Sequence, residues 1–131
     1  MIIYIFLINM KKTTLYIALF FLLSSFIQKP SISFEVNEHN FGDVKENDGK
    51  VSYKFMFTNN GQNALKILSV KPSCGCTTPD WSKNEIKPGK DGYVIAEYNP
   101  KGRPGVFRKS LSVITSDNKR SLIFIKGKVI N

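Results

Sequence analysis

Residues 51–58 constrain the fold more than any other stretch of the chain. Val51, Tyr53, Phe55 and Phe57 alternate with Ser52, Lys54, Met56 and Thr58. A period of two puts every second side chain on one face of an extended strand, so the segment is a half-buried β-strand with an apolar inner face. Asn59-Asn60-Gly61 follows, and Asn and Gly tolerate the positive φ of a turn. Helical periodicity is absent after about Lys29.

The same reading places further strands along the chain. Ser31–Val36 is one, which Phe41–Val44 extends after a break. Leu65–Lys71 is another, ended by Pro72. Gly92–Asn99 carries Val94, Ala96 and Tyr98 on one face. Val106–Ser116 turns Phe107, Leu111 and Val113 one way and Arg108, Ser110 and Ser112 the other. Ser116–Lys119 reads as a turn and Ser121–Ile130 as the last strand, with a weaker one around Asn84–Ile86. About seven strands in roughly 100 residues predict an all-β, immunoglobulin-like two-sheet sandwich. Both cysteines sit on one loop, so no disulfide ties the sheets together and apolar packing must hold them.

The N-terminus reads as a targeting segment. Lys11 and Lys12 form a positive region, Leu15–Leu23 is an uninterrupted apolar run, and Ser24 and Ser25 supply small residues near a cleavage point. The run is too short to span a bilayer, which needs about 20 apolar residues. Residues 1–28 are therefore expected to be a signal segment, with Met1–Asn9 an over-extended start, and residues 29–131 a single domain. The expectation is a protein exported to the periplasm or beyond the cell, touching a membrane only through the N-terminal segment if that stays uncleaved.

The formal charge is +9, and two lower without Lys11 and Lys12. The basic runs are only pairs, such as Arg108-Lys109 and Lys119-Arg120, and no nucleic-acid motif accompanies them. A scattered excess of this kind gives a soluble surface that attracts anions. It argues against nucleic acid and leaves an envelope protein or an anionic glycan as the partner.

Several segments together carry a resemblance. They are Phe41-Gly42-Asp43-Val44, Phe55–Gly61, Leu68–Thr77 with its Ser-Cys-Gly-Cys-Thr, Trp81, Ile86-Lys87-Pro88-Gly89 and Tyr98-Asn99-Pro100. Over about Phe34–Ile130 the chain resembles the bacterial DUF1573 family. The resemblance implies an immunoglobulin-like sandwich, related in architecture to Hydin, major sperm protein and PapD-like domains. It also implies export by Gram-negative bacteria. It supplies no activity.

Cys74-Gly75-Cys76 is the chemically unusual feature, and it admits three readings. The first is a local disulfide: the Cα atoms of i and i+2 come close enough only if the chain bends, and Gly75 permits the bend. So small a ring is strained, and strained disulfides are labile. The second is redox activity, with Lys71 and Lys83 as candidates to stabilise a thiolate. Against it, thiol–disulfide enzymes use C-x-x-C at a helix N-terminus, whereas Pro72, Thr77, Thr78 and Pro79 read as loop. The third is a metal. With His39 far away in sequence, a tetrahedral zinc site lacks ligands. Soft thiolates hold Cu(I) with fewer, which leaves copper as the one metal to test. The spacing favours the local disulfide.

Trp81 either lines a ligand groove or plugs the core at a sheet edge, and a plug is the commoner fate of a lone Trp. His39 reads as a surface residue in a turn. Asp43, Glu46, Asp48, Asp80, Glu85 and Asp91 read as loop carboxylates and form no pair suited to acid–base work. No phosphate loop or nucleophile elbow is present in the sequence. The expectation is a non-catalytic exported module that needs no cofactor and binds or scaffolds in the envelope. The alternative is a thiol-redox or Cu(I)-handling protein using Cys74 and Cys76.

Overall fold

A computed structural model describes residues 31–131 together with Ile3. Apart from Ile3, the signal segment and the start site lie outside these residues. Among the described residues, no helix is long and apolar enough to cross a membrane.

The described chain is a sandwich of eight strands: β1 (Ile32–Phe34), β2 (Glu38–Lys45), β3 (Val51–Asn59), β4 (Ile67–Pro72), β5 (Thr77–Trp81), β6 (Asp91–Tyr98), β7 (Gly105–Thr115) and β8 (Arg120–Ile130). The first sheet runs β1-β3-β6-β5 and the second β2-β8-β7-β4. Their inner faces supply the core. Phe55, Phe57, Val94, Ala96 and Tyr98 of the first sheet meet Leu111, Val113, Ile123, Ile125 and Val129 of the second, all buried. The Tyr98 ring stacks on Phe107 with centroids 3.9 Å apart, so an aromatic pair joins the two sheets.

The strand layout departs from the sequence reading in several places. Ser31–Val36 and Phe41–Val44 do not continue one strand. The chain crosses between them, so that β1 pairs antiparallel with β3 while β2 pairs parallel with β8. Residues 84–86 form no strand, only an isolated bridge between Leu65 and Ile86. His39 lies inside β2 rather than in a turn. The stretch after the cysteines is not loop but β5, despite Pro79. Proline cannot donate to a ladder, and β5 tolerates it because it is an edge strand.

Two motifs acquire a structural cause. The register of β2 on β8 slips between Asn40 and Asp43. Gly42 sits in this bulge at φ +68°, a backbone region that favours glycine. Its carbonyl comes so close to Gly127 that a Cβ there would stand 2.9 Å from it, and 2.9 Å from the Phe107 ring. Asn59, the last residue of β3, is fully buried yet satisfied. Its amide donates to the carbonyls of Asn63 (2.9 Å) and Ile86 (2.8 Å), and its side-chain oxygen accepts the N–H of Gly61 (2.9 Å). One residue thus ties the Asn-Asn-Gly turn to the Ile-Lys-Pro-Gly loop.

Candidate functional site

Cys74-Gly75-Cys76 is the crossover that carries the chain from β4 of the second sheet to β5 of the first. Cys74 and Cys76 form a disulfide with Cα atoms 5.3 Å apart. Cys76 is 8% exposed and belongs to the core, Cys74 is half-buried against it, and Gly75 is exposed. The Thr77 hydroxyl lies 3.8 Å from the Cys74 sulfur and 3.9 Å from that of Cys76. Both sheets grip the crossover. The Ser73 N–H donates to the Ser110 carbonyl (2.9 Å) and the Ser110 N–H to the Ser73 hydroxyl (3.1 Å) on β7. The Asn99 N–H, at the end of β6, donates to the Cys76 carbonyl (3.0 Å).

This crossover closes a sheet edge. The bonds Asn99 to Cys76 and Ser82 to Tyr93 fix which β5 residues bond to β6. In an antiparallel ladder these alternate, so Thr78 and Asp80 face β6 while Thr77, Pro79 and Trp81 face outward. The Thr77 N–H donates to the Cys74 carbonyl (3.4 Å). Pro79 has no N–H. The Trp81 N–H beside the Asp80 carboxylate and, after it, Lys83 hold that carboxyl below its ordinary pKa. At the Cys-Gly-Cys end and in the middle of β5, no outward donor is left for an added strand. On β4 the Ser73–Ser110 pair likewise turns Pro72 outward.

The other sequence candidates lie elsewhere. Trp81 sits at the far end of β5 from the disulfide, half-buried against the core, with the Lys83 ammonium 3.3 Å above its ring. His39 lies on β2, the edge of the second sheet opposite β4, so the fold keeps it away from the cysteines. Its ring stacks on Tyr53 of β3 at 3.6 Å and meets Phe41 edge-on. Burial lowers its pKa. Asp43, Asp80 and Asp91 lie on strands rather than loops. Among the described residues, no group of three or more His, Cys, Asp or Glu side chains could hold a metal. Lys71 and Lys83 do not flank the disulfide as a pair: Lys71 points outward from β4, while Lys83 pairs with Asp80 at 3.3 Å.

Charge is the property that the linear sequence hid. Basic residues look scattered along the chain, but strand alternation sorts them. The outer face of the second sheet carries Lys45, Lys71, Arg108, Arg120, Lys126 and Lys128 against only Glu38 and Asp43. Strand residues on the outer face of the first sheet supply Lys54 against Asp80, Asp91 and Glu97. Glu38 bridges Arg108 (2.8 Å) and Lys126 (2.5 Å), and these two bonds lower its pKa, Lys126 having the larger effect. The Arg108 guanidinium also covers the Phe124 ring at 4.0 Å. Beside this cluster runs a groove of about 390 Å³ that includes Ser110 and Ser112, with Lys71 and Arg120 in its lining.

The family described as "Protein of unknown function (DUF1573)" matches residues 32–129. No curated protein matches the sequence. Among solved structures the chain is similar to a protein of unknown function from Porphyromonas gingivalis W83. The TM-score is 0.63 at 16% identity, over 79% of this chain and 51% of that one. It is also similar to the VesB protease of Vibrio cholerae, with TM-score 0.61 and 20% identity over 75% of this chain and 32% of that one. The YadV chaperone gives TM-score 0.56 and 12% identity over 78% and 53%. This chain thus spans about half the length, or less, of these solved chains. At such identities the likeness is one of fold.

Proposed function

The chain belongs to the DUF1573 family, and on that premise we propose that it is a non-catalytic β-sandwich module, exported to the cell envelope, which binds or scaffolds there. The family description names no activity. The observation that supports the reading is the division of charge between the outer faces: cations gather on β2, β4, β7 and β8, and carboxylates on the other sheet. A sandwich with one strongly basic face attracts and orients an anionic partner. Sealing the β5 edge keeps association from proceeding by strand addition along that flank.

The test is a pull-down with the purified chain from envelope extract at low and high salt. One saturable partner that recurs and survives moderate salt supports the module. A broad catch that washes off completely with salt counts against a specific interface.

Thiol exchange is the second reading. It is favoured by the position of the disulfide on a turn, with Cys74 only half-buried and Gly75 exposed beside it. Intact-mass analysis of the native protein, alkylated before and after reduction, decides it. A pair that cycles between oxidised and reduced forms in the cell supports exchange, and a pair that stays oxidised removes it.

A further inference from the structure

We infer that the outer face of the second sheet is a binding surface for a linear polyanionic glycan, with Lys71, Arg120 and Lys128 as its principal contacts. This deepens the binding-module reading and rests on it.

Register gives the layout of the face. Across β4, β7 and β8 one row reads Lys71, Ser112, Leu122, and Ile114 pairs with Arg120 in the row beyond. Further along the strands Arg108 pairs with Lys126, then Val106 with Lys128. Cations thus recur along the strand direction, and from Arg120 to Lys128 the face extends about 26 Å. Among the described residues Lys71, Arg120 and Lys128 have no ion-pair partner, whereas Arg108 and Lys126 are both engaged by Glu38. The Nε of Arg120 donates to the Ser112 hydroxyl at 2.6 Å. That bond aims the guanidinium over the groove and leaves its terminal nitrogens for a ligand carboxylate or sulfate.

The same face argues for a glycan rather than an acidic protein. A protein interface draws its energy from an aromatic or aliphatic anchor buried near its centre. Here the centre holds Ser110 and Ser112, and the one large aromatic, Phe124, is already covered by Arg108. Of the exposed apolar side chains, Val106 (83% exposed) stands at the Lys128 end, while Leu68 (57%) on β4 and Leu122 (43%) on β8 are separated by β7. Hydroxyls flanked by separated cations suit a hydroxyl-rich chain whose negative charges are spaced along it.

The test uses titrations of the purified chain with polygalacturonate, neutral dextran and polyglutamate, read by fluorescence anisotropy at low ionic strength. Polygalacturonate should bind, dextran should not, and Lys71→Glu with Arg120→Glu should weaken binding at least tenfold. Lys87→Glu with Lys90→Glu, on the β5–β6 loop, changes net charge equally and should weaken it less than threefold. Equal losses in the two variants would overturn the proposal, since net charge alone would then explain binding. Tighter binding of polyglutamate would overturn it in favour of an acidic protein. Should the charge-reversed face fail to fold, amide shift mapping of the unmodified chain decides. Perturbations on β4, β7 and β8 uphold the surface, and perturbations elsewhere refute it. If polygalacturonate fails to bind while the unmodified chain still captures its envelope partner, the module reading survives and only the glycan surface falls.

Discussion

The side-chain amide of Asn59 donates to the backbone carbonyl of Ile86 at 2.8 Å, joining two loops that are 27 residues apart in sequence. The same amide serves Asn63, and the Asn59 backbone bonds Lys90 and Gly89. Every polar atom of a fully buried residue therefore has a partner. Asn59→Asp keeps the acceptor for Gly61 but replaces two donors by an oxygen that repels both carbonyls. Leaving buried groups unsatisfied costs about 1–3 kcal/mol each. Asn59→Asp should therefore lose about 3 kcal/mol or more, read from urea denaturation, and Asn59→Ala somewhat less. A loss below 1 kcal/mol would show that water replaces the bonds.

Gly127 occupies a position with no room for a methyl group. The Cβ of an alanine would stand 2.9 Å from the Gly42 carbonyl and from the Phe107 ring. Relief requires moving either the β2 bulge or the ring that stacks on Tyr98. Gly127→Ala should cost about 1–3 kcal/mol, as overpacking does. Lys128→Ala, one residue away on the exposed side, should cost almost nothing, which makes it the control. Equal melting temperatures for the two variants would refute the steric account.

These two residues show what the sequence can and cannot say. Alternation at 51–58, 92–99 and 106–116 marks the central strands, because each has one face on the core. Asn59 reads only as a turn former, since nothing local reveals a partner at Ile86. β5 is hidden because Pro79 and Asp80 are the residues an edge strand uses to repel neighbours, and they imitate a loop. His39 is misread for a related reason: Glu38, His39 and Asn40 look like a turn until β8 is placed beside them. The basic face is invisible in one dimension because its cations come from four strands and meet only through register.

His39 makes stability depend on pH in a defined direction. Burial against Tyr53 lowers its pKa, so the unfolded chain binds a proton at higher pH than the folded one. The stabilising contribution is complete above the unfolded value, about 6.5, and is lost as pH falls from there through the lowered folded value. Glu38 and Asp80, whose pKa values are also lowered, act below about pH 4.5 and leave this window clear. His39→Phe retains a ring on Tyr53 but cannot take the proton. Urea midpoints should fall between about pH 7.5 and 5.5 for the unmodified chain and stay nearly level for the variant. Parallel declines would assign the effect to another group.

The disulfide and Pro79 act on one edge by different means, and that separates their predicted effects. Cys74 and Cys76 close a ring so small that loop-closure entropy contributes at most about 2 kcal/mol. Cys74→Ser with Cys76→Ser should therefore leave the fold intact and lower the melting temperature only modestly. Its signature should be local. The Thr77 amide, held by the Cys74 carbonyl at 3.4 Å, should exchange faster in the double variant, while core amides on β3 and β8 keep their protection. Pro79→Val returns an outward N–H to the middle of β5 without touching the cysteines. It should raise self-association in sedimentation velocity at unchanged melting temperature, and combining it with the cysteine variant should raise it further, since two neighbouring outward donors are then free. If all three variants sediment like the unmodified chain, the edge is protected by something other than this crossover, and the Cys-Gly-Cys turn must be explained by its thiol chemistry.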